Sequence, residues 1–294
     1  MRRWVDTLEA WLPKLVIAPT FLCCLVFVYG YILWTAVLSF TRSRMLPSYE
    51  LAGLAQYQAL FASERWWVAL KNLALFGSCF TLLALAVGLA LAILLDQKIR
   101  AESFIRSVYL YPMALSFIVT GTAWKWMLNP GLGLEKLMRD WGFAEFSFEW
   151  LVDPEMAIYT VVIAGVWQSS GFVMAFFLAG LRAIDPEIVK AAKVDGASMP
   201  TIYRRIIIPS LRPVFFSSLL ILAHLAIKSF DLVVALTGGG PGFASDLPAT
   251  FMYSFAFTRN QIGLGAASAM MMLMTVVAVF VPFLYSELRR GRRA

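Results

Sequence analysis

Residues 72–95 read NLALFGSCFTLLALAVGLALAILL, a stretch without a single Asp, Glu, Lys or Arg. A helix needs about 20 apolar residues to cross the hydrocarbon core of a bilayer, so this stretch suffices alone. It lacks the two-residue alternation of a barrel strand, which leaves a helix as the form that satisfies its own backbone in lipid. Working outward, charge-free runs recur at 15–41, 107–124, 156–181 and 260–286, and the third stays apolar past Lys125 to about Leu128. Residues 213–237 are apolar too, but carry His224, Lys228 and Asp231. The reading is an all-α polytopic membrane protein with six spans, at about 15–40, 72–95, 107–128, 156–181, 213–237 and 260–286. The whole chain, 1–294, is read as one transmembrane domain.

Composition agrees. Of 294 residues 60% are hydrophobic and only 15% charged, whereas a soluble domain runs nearer half apolar and a quarter charged. Soluble domains and intrinsic disorder are both excluded. The formal charge of +7 is explained by topology. Sixteen Lys and Arg lie on the side that holds both termini, residues 96–106 and residues 182–212; seven lie opposite. The positive-inside rule then puts both termini in the cytoplasm. Arg289, Arg290, Arg292 and Arg293 read as an anchor for anionic lipid, and no aromatic-interleaved basic face points to nucleic acid. The first apolar run is too long for a signal-peptide core and is expected to be retained. Cys23, Cys24 and Cys79 all fall inside spans, with no metal-ligand spacing, and read as packing residues.

Catalytic chemistry is missing. There is one histidine, no H-E-x-x-H, no C-x-x-C and no G-x-S-x-G. Gly238-Gly239-Gly240-Pro241 is not followed by Gly-Lys-Ser/Thr and is not a phosphate loop. The chain is therefore read as no enzyme, without metal or cofactor of its own. Any uphill movement must be powered by another chain or by an ion gradient.

Two features carry function. The first is the loop 182–212. Asp185 before Pro186 is a helix start, a capping side chain followed by proline at the first helical position. Asp195-Gly196 ends that helix. A second short helix is expected from about Ser198–Pro200 to a point before Pro209. The result is a helix–turn–helix on the cytoplasmic face, and its paired alanines Ala191 and Ala192 offer a shallow surface. It fits either a groove on another protein or the lipid interface.

The second is a polar stripe. His224, Lys228 and Asp231 are spaced four and three apart, which places them on one face if the span is a continuous helix. Ionisable groups inside a span are costly and face a bundle interior or a water-filled path. Either they line a passage, or Lys228 snorkels and pairs with Asp231 merely to neutralise both. Trp167 and Gln168, an aromatic face beside an amide within a span, are further candidates for the passage. Trp124 and Trp126 read first as membrane-interface anchors.

The loop resembles the so-called EAA loop in permease subunits of binding-protein-dependent ABC importers, a pattern of E-A-A-x-x-D-G-A followed by an aromatic and I-x-x-P. The matches are Ala191, Ala192, Asp195, Gly196, Ala197, Tyr203, Ile206 and Pro209; Lys190 stands where the family has Glu. Gly53-Leu54-Ala55-Gln56-Tyr57, Trp167-Gln168, Leu178-Ala179-Gly180-Leu181, Leu236 through Pro241, Ala249-Thr250 and Gly265-Ala266-Ala267 extend the resemblance along nearly the whole chain. It is similar to the carbohydrate branch, the maltose and glycerol-3-phosphate group, and looks nearest to glucose and mannose permeases. The resemblance implies alternating access and a bacterial cytoplasmic (inner) membrane location. It implies as partners a second, homologous permease, a dimer of ATP-binding subunits docked on Lys190–Ala192 and the Asp195–Ala197 turn, an extracytoplasmic sugar-binding protein, and a sugar. ATP would be used by the partner ATPase. A gradient-driven sugar carrier is the alternative; such carriers contain inverted repeats and broken helices, neither of which is clear in this sequence.

Overall fold

The computed structural model describes the backbone of residues 2–97 and 99–291, and side chains over most of that length. The basic tail lies outside the residues whose side chains are described. Among the described residues the chain is helical, apart from turns and two isolated bridges, Thr41 with Leu51 and Arg44 with Leu46. It forms two compact units, 1–63 with 252–273, and 64–251 with 274–294.

In the first unit α1 (Arg2–Cys24) continues through a π-helical turn (Leu25–Tyr29) into α2 (Gly30–Ser39). Val16–Ser39 is long and apolar enough to cross a membrane. Its side chains, Cys23 and Cys24 included, are almost all exposed, so the two cysteines are not packing residues within this chain. Where α2 ends, its last carbonyls need partners. The Ser39 and Thr41 hydroxyls donate back to the carbonyls of Ala36 and Leu38. Gly53, at φ +57, turns the chain into α3 (Ala55–Ala62). Gln56 Nε2 then donates to the Thr41 carbonyl at 2.8 Å and the Tyr57 hydroxyl meets that of Ser39 at 2.8 Å. The Gly53–Tyr57 segment is therefore a hook on the end of α2.

The second unit is built on α4 (Glu64–Leu95) and α8 (Ala157–Arg182), which pack along their length. Phe76 and Phe80 stack, and with Ala84 and Leu85 they meet Val161, Ala164, Val173 and Phe177. Without a hydrophobic drive between helices in lipid, close backbone approach holds such contacts. At Gly171 a Cβ would stand 1.9 Å from the Tyr109 carbonyl oxygen, so only glycine lets α8 touch α5 (Glu102–Ala114) there.

Among the described residues four helices are each long and apolar enough to cross a membrane, and two bent pairs raise the number to six if each is one crossing. The third expected span corrects the sequence reading. It is α5 followed by α6 (Phe117–Met127), bent by 100°. Leu115 and Ser116 are extended, and the Ser116 hydroxyl accepts from the Val119 N–H as an N-cap. The fifth is likewise broken: α12 (Arg212–Ile227) stops at Lys228, and α13 (Asp231–Leu236) starts after Phe230. Asp231 opens α13, where the positive end of the helix favours a carboxylate. The single helix face assumed for His224, Lys228 and Asp231 does not exist. Broken spans are present after all.

Between α8 and α12 lies α9 (Pro186–Val194), a turn, α10 (Met199–Ile202), a π-helical turn (Tyr203–Ile207) and α11 (Ile208–Ser210). The second helix of this loop thus runs through Pro209 rather than ending before it. Proline interferes with the carbonyl one turn back; the wider turn at 203–207, closed by Ile208 N–H to the Tyr203 carbonyl, makes room.

A matched pair of variants tests the close approach. Gly171→Ala is expected to lower the melting temperature of the detergent-solubilised protein, by an overpacking cost of about 1–3 kcal/mol or more. Gly77→Ala, whose Cβ meets Ala226 Cβ at an ordinary 3.8 Å, is expected to be nearly neutral.

Candidate functional site

The break in the fifth span opens a small pocket. Lys228, Ser229, Phe230 and Asp231 line it from the break, with Phe117 at the start of α6 and Gly165 of α8 facing them. The Phe76–Phe80 stack closes the apolar side. The two breaks therefore face each other. They are held so because α6 packs tightly on α13: a Cβ at Gly121 would stand 2.7 Å from Ala235 Cβ and 3.0 Å from the Leu232 carbonyl. Unwound backbone at this place offers carbonyl and amide groups free of helical bonds, beside one ammonium and one carboxylate.

Lys228 and Asp231 are both exposed on this chain, and no ion pair joins them. His224, a turn earlier on α12, is exposed and meets Phe280 edge-on at a ring distance of 6.1 Å. Trp167 lies elsewhere, edge-on to Trp124 at 5.9 Å and beside Tyr109, Tyr111 and Pro112. Gln168 is 4% exposed. Its Nε2 donates to the Leu115 carbonyl at 2.8 Å, the carbonyl that the bend in the third span leaves without a helical partner. Of the five candidate pathway residues, Lys228 and Asp231 line the break of the fifth span, His224 sits a turn earlier on α12, Trp167 lines a neighbouring aromatic recess, and Gln168 holds the other break in shape.

The loop after α8 forms as expected up to Ala197. Asp185 Oδ1 accepts from the Glu187 N–H at 2.9 Å, with Pro186 in the first turn. Gly196 takes φ +80 and supplies the left-handed residue that L side chains resist. Its N–H bonds the Lys193 carbonyl, and that of Ala197 bonds the Ala192 carbonyl, both at 3.0 Å. These are the two bonds of a Schellman stop. Ala192 and Ala197 are half-buried and packed against the core, while Lys190 and Ala191 are exposed. The outward face is Ile188, Ala191 and Val194, three apart, with Val194 87% exposed. Lys190 Nζ bonds Glu187 Oε1 at 2.7 Å, so its charge is answered on its own helix turn.

One cluster escaped the sequence reading. Asp246, 1% exposed, pairs with Arg65 at 2.6 Å and accepts from the Thr250 hydroxyl. The Arg65 guanidinium lies over the Phe243 ring at 4.3 Å. Asn72, two turns along α4, donates to the carbonyls of Ala244 and Asp246 at 2.9 and 3.0 Å. The Ser245 hydroxyl ties Thr237 to Gly240. The first turns of α4 thus grip the loop that follows α13. Asp246 is the only charge between Leu232 and Thr258, and Arg65 and Asn72 are seven apart on one helix; those were the available signals.

Residues 84–293 match the family described as "Binding-protein-dependent transport system inner membrane component". A probable ABC transporter permease protein of Pyrococcus horikoshii is 39% identical over 97% of each chain. The xylose/arabinose import permease of Haloferax volcanii is 37% identical over 90% of this chain and 84% of its own. The trehalose/maltose transport system permease of Thermococcus litoralis is 30% identical over 97% and 96%. In fold the chain is similar to one in the crystal structure of a bacterial ABC transporter that imports alginate, with a TM-score of 0.83 over 99% of each chain at 20% identity.

The clamp has a test. Asp246→Leu takes the buried carboxylate from the half-buried Arg65 guanidinium and is expected to cost up to about 3–5 kcal/mol, whereas adding Arg65→Met to it removes both charges and should restore most of the loss. Thermal unfolding of both variants in detergent reads the difference.

Proposed function

The chain belongs to the family of binding-protein-dependent transport system inner membrane components, and on that premise we propose that it is the permease subunit of an ATP-driven carbohydrate importer. The carbohydrate class is supported by relatives named for xylose and arabinose and for trehalose and maltose. Within it we favour a monosaccharide such as glucose or mannose, on the sequence resemblance above. Lys228 and Asp231 at the break of the fifth span, with His224 below and Trp167 in a neighbouring recess, are its proposed contacts. Ring stacking and charge-assisted hydrogen bonds to hydroxyls are the interactions these side chains can make. Gln168 serves the pathway indirectly, through the bend at Leu115.

Broken spans do not favour the gradient-driven carrier, because they occur here in a chain of the importer family. The chain itself carries no phosphate loop, so ATP is used by partner subunits. We propose two ATPase copies, a second permease and an extracytoplasmic binding protein as the partners, and both termini on the cytoplasmic side.

The observation that carries the reading is α9 with its Schellman stop, a rigid short helix whose apolar side, Ile188, Ala191 and Val194, has no cover in this chain. Docked on the ATPase, it would carry motion in both directions. Labelled-sugar uptake with and without the gene tests the substrate class. Loss of sugar uptake is expected in its absence; unchanged uptake of every sugar tried would remove the carbohydrate reading.

Docking has its own test. Gly196→Val forces a side chain into the left-handed conformation at a cost of about 1–2 kcal/mol. Stimulated ATP hydrolysis and sugar uptake should fall together while the protein still inserts. Cysteines at Ala191 and Val194 should cross-link to the ATPase, and one at the half-buried Ala192 much less. Cross-links to lipid alone, with normal transport by the valine variant, would make α9 a membrane-surface helix.

A further inference from the structure

The segment between α6 and α8 contains α7 (Leu134–Asp140), a helix with three different sides. Glu135 and Arg139 are one turn apart and face the loop. Glu135 is buried, paired with Arg139 at 2.6 Å and accepting from the Phe148 N–H, while Arg139 Nε donates to the Phe146 carbonyl at 2.9 Å. Lys136 and Asp140 form an exposed polar side. Leu134, Leu137 and Trp141 lie at helical spacing on the remaining side, and they too are exposed, Leu137 by 45% and Trp141 by 69%.

The segment has buried its carboxylate and left its leucines and tryptophan outside. Facing water, that arrangement forfeits the apolar burial that stabilises a short helix. We propose that α7 is an interfacial anchor that lays Leu134, Leu137 and Trp141 into the headgroup–acyl boundary of the bilayer. Phospholipid is the occupant because α7 begins a few residues after α6, the second half of a bent pair long and apolar enough to cross a membrane. α6 ends a few residues earlier with Trp126 and Met127 exposed, and Ile118 and Val119 are exposed further along it. Tryptophan is enriched at that depth, and a helix with one charged and one apolar side lies in the interface plane. Lys136 and Asp140 then face water. The inference rests on membrane embedding and not on which solute is carried.

Single cysteines read the orientation directly. The assembled transporter, with Cys23, Cys24 and Cys79 replaced by alanine, is reconstituted in phosphatidylethanolamine/phosphatidylglycerol vesicles. It carries Leu137→Cys, Trp141→Cys, Lys136→Cys or Asp140→Cys, each labelled with bimane. All four positions are exposed, so the labels displace no core group. Lipid carrying a doxyl group near the headgroup is expected to quench the probes at 137 and 141 at least about two-fold more than those at 136 and 140, and aqueous iodide the reverse, as for a helix lying in the interface. Iodide quenching at all four would place α7 in water and overturn the inference. Probes at 137 and 141 shielded from both quenchers would mean a protein partner covers that side, and equal doxyl quenching at all four would mean no sidedness; either also overturns it. Retention of the complex in the vesicles, measured in parallel, reports separately on membrane embedding.

Discussion

A bilayer offers the backbone no water, so each carbonyl and amide released from a helix must find a partner inside the protein. The second unit depends on that constraint. Its third and fifth spans are broken where they face each other, and at the third span side chains from α8 and from the start of α6 take two of the released groups. Gln168 takes the Leu115 carbonyl, the Ser116 hydroxyl takes an amide of the first turn of α6, and Asp231 opens α13 with a negative charge. At the end of α13, Asn72 does the same for the loop carbonyls of Ala244 and Asp246. Without these bonds the breaks would cost several kcal/mol for each orphaned group. With them, unwound backbone can sit at membrane depth and face a solute.

Glycine packing and polar capping cooperate here. Gly121 brings α6 onto α13, and Gly171 brings α5 onto α8. The bend at Leu115 lies between those two contacts in sequence, and the Gln168 bond is made one turn before Gly171 on α8. Movement of α6 relative to α5 must therefore act first on the residues around Leu115 and Ser116.

Much of this was legible in the chain because it is local. Charge-free runs located the spans, and Asp185-Pro186 and Asp195-Gly196 located both ends of α9, since a cap and a left-handed glycine act on their own neighbours. The breaks were not legible. No glycine or proline stands at Leu115-Ser116 or at Lys228-Ser229-Phe230, and Ser116 is an ordinary polar residue in a span until Gln168, more than fifty positions on, supplies the other half of the bend. Treating the fifth span as continuous also made His224, Lys228 and Asp231 a stripe, when the break gathers two of them around a pocket and leaves the third on the helix below. The Arg65–Asp246 clamp joins residues 181 positions apart. Its composition hints only that a lone buried carboxylate needs a cation somewhere.

The ion pair on α9 has a consequence for partner choice. Between Asp185 and Asp195 the helix carries three carboxylates and two ammonium groups, and Glu187 already holds Lys190. Such a surface approaches another protein with almost no field of its own. Ionic strength then has little to screen, and long-range attraction adds little to the encounter rate. A partner docked on this helix would then be selected by its fit to Ile188, Ala191 and Val194, a matter of shape that salt leaves unaltered.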